Sequence, residues 1–151
     1  MLKRKIDNYI RNYYETTRNA LLITGARQIG KTFSIREFGK SFKSFIEINF
    51  VDNPEAIEVF KGARSSADIL LRLSAMVTTP LIKGETLIFF DEVQKCPEIV
   101  TVIKFLVDEG SYRYILSGSL LGVELKNLRS EPVGYMGVKD MYPLDFEEFI
   151  S

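Results

Sequence analysis

The chain has 151 residues, no histidine and one cysteine, Cys96, and its 20 basic and 20 acidic side chains cancel. These counts exclude an internal disulfide, a multi-cysteine metal site, zinc chemistry and histidine acid–base catalysis, so any general base must be a carboxylate. Zero net charge argues for neither nucleic acid nor an anionic membrane as a partner. No apolar run approaches the ~18 residues of a membrane span, and the charged start leads into no signal-peptide core, so the expectation is a cytoplasmic protein with no membrane contact. One domain of this length buries about 68–70% of its unfolded surface and can carry a core without staples.

Ile6, Tyr9, Ile10, Tyr13 and Tyr14 recur at helical spacing over residues 3–18, which predicts an amphipathic helix. Lys3, Arg4, Lys5, Arg11 and Arg18 outnumber Asp7 and Glu15 there. Two readings stand: a basic, tyrosine-bearing surface for nucleic acid, or a solvated helix face. Ala20–Thr24 is the first predicted strand and Lys31–Lys40 the first helix of the body. Ser44–Phe50 alternates apolar with polar residues and predicts a strand. Asp52-Asn53-Pro54 breaks it, with Pro54 opening a helix through Phe60. Ser65 or Ser66 caps a helix to about Val77 with Ile69, Leu70 and Leu73 inward. Thr86–Phe90 is a continuous apolar strand of the kind buried on both faces. Pro97 opens a helix, Glu98–Glu109, that Gly110 ends. Tyr112–Leu116 and Val133–Met141 predict two further strands, with a short helix or loop over 120–130 between them and a helix from Pro143 to Ile150. Strands alternating with helices predict an α/β fold: a parallel sheet, helices on both faces, right-handed crossovers. The chain stops within that last helical segment, which reads as truncation.

Between the first strand and its helix lies Gly25-Ala26-Arg27-Gln28-Ile29-Gly30-Lys31-Thr32, a full match to the Walker A pattern G-x-x-x-x-G-K-[ST]. Glycine lacks a Cβ, so Gly25 and Gly30 let the backbone approach an anion. Successive loop N–H groups and the following helix N-terminus then converge on phosphate. Lys31 supplies a mobile full charge to the β- and γ-phosphates, and the Thr32 hydroxyl can ligate Mg²⁺. The residues expected to bind ATP are Gly25, Ala26, Arg27, Gln28, Ile29, Gly30, Lys31, Thr32 and Phe33. Arg27 could lean on a phosphate or face solvent.

The acid pair Asp91-Glu92 follows the apolar strand directly, and in open parallel sheets ligands bind beyond the carboxyl ends of strands. Asp91 there can hold Mg²⁺ opposite Thr32, and Glu92 can orient or deprotonate the attacking water. Ser119 is the chosen sensor of the γ-phosphate or lytic water and Ser117 the alternative; either could equally be a turn serine. Gln94 approaches the site or is a surface amide. Cys96 reads as a small buried filler. Lys126 and Arg129 are weak candidates for an arginine-finger role. Catalysis is thus assigned to Glu92, Lys31 and Ser119, and the metal to Thr32 and Asp91.

Taken together, GARQIGKT, LIFFDEVQKCPE, YILSGSLLG and PVGYMGVKDMYPLDFEEF resemble a bacterial and archaeal family of AAA-like P-loop ATPases over nearly the whole chain. The first two motifs are shared by many ATPases; DEVQ-x-x-P and YPLDFEEF are more particular. The resemblance implies a three-layer P-loop fold with the Tyr112–Leu116 strand inserted between the strands that precede Lys31 and Asp91, in the order 5-1-4-3-2. It also implies that a second domain of unassigned function follows. Many members carry Gly-Arg ahead of the Tyr-Pro-Leu segment, where this sequence has Gly134-Tyr135, so no arginine sensor carries over at that point.

The expected function is Mg²⁺-dependent ATP hydrolysis coupled to conformational change in a missing domain or protein partner. The alternative is a nucleotide-binding switch with negligible hydrolysis of its own. A small-molecule kinase would need an acceptor pocket and a basic lid, and a GTPase would need the N-K-x-D segment that is absent from the sequence.

Overall fold

The strand pattern of the sequence is realised closely in the computed structural model, which describes residues 5–25, 29–63, 65–118 and 135–140. The strands are β1 (Ala20–Thr24), β2 (Ser44–Asn49), β3 (Thr86–Asp91), β4 (Arg113–Gly118) and β5 (Met136–Asp140). They pair in parallel in the order β2-β3-β4-β1-β5, which is the expected 5-1-4-3-2 read from the other edge. The helices are α1 (Lys5–Thr16), α2 (Ile29–Gly39), α3 (Ser66–Met76) and α4 (Ile99–Glu109). The segments expected over 120–130 and 143–150 lie outside the described residues.

The two-residue period of the pleat sorts the strands into two cores. Leu21, Ile23, Leu87, Phe89 and Ile115 pack with Ile6, Ile10 and Tyr14 of α1 and Ile35 of α2. Leu22, Ile46, Ile48, Ile88, Phe90 and Leu116 face the other way, against Ile69 and Leu73 of α3 and Val102, Ile103 and Leu106 of α4. The sheet is therefore covered on both faces, and all six residues of β3 are buried. That is why the strand reads as an unbroken apolar run.

Helix ends follow their local chemistry. The Ser65 hydroxyl accepts from the Asp68 N–H at 3.2 Å and starts α3. Gly110, at φ 80°, ends α4 with its N–H on the Leu106 carbonyl at 3.2 Å. Two expectations shift. Pro54–Val59 is a 3-10 segment rather than an α-helix. Asn53 makes no side-chain cap there, and six residues suffice only to bury Ala56 and Val59. In α3, Ile69 and Leu73 form the buried stripe at i,i+4, while Leu70 flanks it and is half-buried.

The tyrosines of α1 are used in packing. Tyr14 is buried and stacks on Phe38 of α2 with ring centroids 5.2 Å apart. The Tyr13 hydroxyl donates to the Ala20 carbonyl at 2.7 Å and accepts from the Gly137 N–H at 3.0 Å, tying the helix to the start of the β1–β5 pairing. A Cβ on residue 137 would lie 2.8 Å from that hydroxyl. Gly137→Ala is therefore expected to destabilise the chain by about 1–3 kcal/mol. Tyr13→Phe, which removes the hydroxyl and both of its hydrogen bonds without adding volume, costs about 1–3 kcal/mol, comparable with Gly137→Ala. Urea unfolding of the two variants checks both figures.

Candidate functional site

Sheet register places the two halves of the candidate site on one edge. Thr24 at the end of β1 pairs with Gly118 of β4, Ser117 pairs with Asp91 of β3, and Asp91 pairs with Asn49 of β2. With strands about 4.8 Å apart, the ends of β1 and β3 lie on the order of 10 Å from each other, separated only by β4.

Gly25 leaves β1 at φ 143°, a torsion that side-chain-bearing residues rarely adopt. Ala26, Arg27 and Gln28 lie outside the described residues; Ile29 and Gly30 already belong to the first turn of α2. Lys31 is almost completely buried, and its Nζ donates to the Gly118 carbonyl at 3.4 Å. Thr32 is half-buried beside it and Phe33 is 45% exposed. The lysine of the loop thus reaches across to the end of the inserted strand, β4.

Asp91 and Glu92 are both 8% exposed. One Asp91 oxygen, Oδ1, accepts from the Glu92 N–H at 2.8 Å, and Oδ2 accepts from the Asn49 side-chain amide at 3.5 Å. Burial pushes the Asp91 carboxyl above its ordinary range; Glu92 and Glu47 push the same way, while the Glu92 N–H and Lys31 oppose them. Glu47 itself is held by a bidentate ion pair with Arg36 of α2, at 2.8 and 2.7 Å. The half-buried carboxamide of Gln94 donates to Glu92 Oε1 at 3.2 Å.

An open torsion after β1, a buried lysine at the head of an 11-residue helix and two buried carboxylates at the adjoining strand end form one constellation. A family model for the AAA domain matches residues 17–150. The chain belongs to the AAA domain family. It is accordingly a nucleotide-binding, ATPase-like domain. No curated protein matches it.

Within this AAA domain, Ser117 is the serine candidate that the sheet holds. Ser117 is fully buried beside Asp91, and its hydroxyl has no hydrogen-bond partner among the described residues. Ser119 lies outside the described residues, as do Lys126 and Arg129. Cys96 is fully buried, with its thiol raised to about 12 by desolvation and by Glu98, as a filler should be.

Asn49 was not singled out by the sequence reading. Its Oδ1 accepts the N–H groups of Val51 and Asp52 at 2.8 and 3.0 Å, an Asx turn that leaves the amide nitrogen pointing at Asp91. An asparagine closing an alternating strand just before a Pro-containing break was the available signal. Its partner lies 42 residues away and becomes visible only through the register. Among the described residues, no helix is long and apolar enough to cross a membrane.

Proposed function

We propose that this domain binds ATP with Mg²⁺ and hydrolyses it, and that hydrolysis moves a second domain or partner protein beyond residues 1–151. The observation that carries the reading is the register: it sets Gly25 and the head of α2 on the same edge as Asp91 and Glu92. In this reading, the main chain from Gly25 to Phe33, including Ala26, Arg27, Gln28, Ile29 and Gly30, cradles the phosphates. Lys31 exchanges the Gly118 carbonyl for phosphate oxygens. Its ammonium is already desolvated, so it gives up little hydration on binding.

Magnesium fits the donors on offer. The Thr32 hydroxyl and the Asp91 carboxylate are hard oxygen ligands, and a dication compensates a carboxyl that burial otherwise drives toward protonation. Bound there, the ion would offset charge developing on the transferred phosphoryl group. Glu92 takes the proton from water, as the buried carboxylate next to the metal-holding Asp91. Ser119, with Ser117 as the alternative, senses the γ-phosphate.

Thermal unfolding with ATP, ADP and GTP, each with and without Mg²⁺, together with phosphate release, tests this. ATP–Mg²⁺ at 100 times its dissociation constant should add about 2.7 kcal/mol to stability. The gain should be larger than for GTP, and phosphate should be released steadily. Stabilisation without phosphate release selects the switch reading instead. No stabilisation by any nucleotide overturns both.

A further inference from the structure

Glu92 is the one non-glycine residue with positive φ among the described residues, at φ 59° and ψ 45°. A side-chain-bearing residue is held in that region only when its surroundings over-determine it, and such positions gather at functional sites. The surroundings here are specific. The Lys95 N–H bonds the Glu92 carbonyl at 3.0 Å, and the Cys96 N–H bonds the Val93 carbonyl at 2.9 Å, closing a tight turn. Val93 and Cys96 are buried in the α3–α4 core and anchor it. Gln94 rides on this turn, half-buried, with its amide on the Glu92 carboxylate.

We propose that Gln94 is a positioning residue, whose side-chain amide holds the Glu92 carboxylate in the direction from which it meets water. The inference rests on the reading of Glu92 as the base. A glutamate has three rotatable bonds, and a general base works only within hydrogen-bond reach of the proton it takes. The turn fixes the Glu92 backbone but leaves those side-chain torsions to be fixed by something else. A carboxamide suits that role, because it donates to an ionised carboxylate, which only accepts, and adds no charge that would weaken the base. Lys95, the cation next along the turn, is exposed.

The test is Gln94→Met, which keeps length and bulk and removes the donor. The expected result is a fall in kcat of about 10–100-fold with KM and ADP affinity within about threefold, the mark of a misplaced group rather than a lost binding contact. In a Glu92→Gln background the same change should lower kcat no further. A second readout needs no turnover. The chain has two glutamines, Gln28 and Gln94, so ¹⁵N-glutamine labelling gives two side-chain amide pairs, which Gln94→Met assigns. Glu92→Met, which removes the acceptor and adds no glutamine, should displace the Gln94 pair in the nucleotide-free protein. An undisplaced pair overturns the assignment, as does parent kcat in Gln94→Met when Glu92→Gln is inactive. So do additive losses in the double variant, or a fall in ADP affinity matching the fall in kcat. Absence of phosphate release from the parent, or parent turnover in Glu92→Gln, overturns the hydrolytic reading and the Gln94 role with it.

Discussion

Glu92→Gln is expected to lower turnover by about 10²–10⁴-fold while leaving ATP affinity within about threefold of the parent. The substitution conserves volume and leaves the backbone bonds of the site in place: the Glu92 N–H still donates to Asp91 Oδ1, and the Lys95 N–H still reaches the residue-92 carbonyl. A left-handed torsion at φ 59° burdens glutamine about as much as glutamate, so backbone strain changes little. What disappears is a basic oxygen 8% exposed at the carboxyl edge of the sheet, and with it the means of taking a proton from water. The neighbouring Asp91 does not substitute. Both its oxygens already accept hydrogen bonds, and in this reading its carboxylate is engaged by Mg²⁺. Single-turnover phosphate release and calorimetry with ATP–Mg²⁺ measure the two quantities separately. A variant turning over at the parent rate moves the base elsewhere.

Period and punctuation made most of this fold legible. Alternation in Ser44–Asn49, the unbroken Thr86–Phe90 run and Gly110 at a helix end are local signals with local causes, and the elements they imply form. Strand order is another matter. Nothing within Tyr112–Leu116 says that it lies between β1 and β3; that placement came from resemblance, and the pairings of β4 with both neighbours bear it out. The parts of the site that escaped the sequence depend on the same cross-strand relations. Asn49 meets Asp91 only because β2 and β3 pair in one register, and Ser117 is enclosed only because it shares a row with Asp91. Glu92 looks like any acidic strand end until its torsion is seen, because glutamate has no preference for a left-handed position that sequence could reveal.

Lys31→Met is the second large expected effect: ATP–Mg²⁺ binding weakened about 10–150-fold, with the nucleotide-free chain melting within about 3 °C of the parent. The first figure is the about 1.5–3 kcal/mol of a hydrogen bond to a charged group. The second follows from opposing changes in the free protein. Lys31 is almost completely buried and its Nζ donates to the Gly118 carbonyl at a long 3.4 Å, so an apolar side chain of equal length relieves a desolvation cost that offsets the polar contacts it gives up. Against this, Lys31 favours the ionised form of Asp91, and its loss leaves that carboxyl less compensated. The contributions differ in sign and are each modest, which keeps the net shift small; about 1 kcal/mol moves the melting point by roughly 2–4 °C at this size. A lysine buried for packing alone would give the reverse pattern, a lower melting point with unchanged affinity. Parent affinity in Lys31→Met would mean that the phosphates bind away from the head of α2.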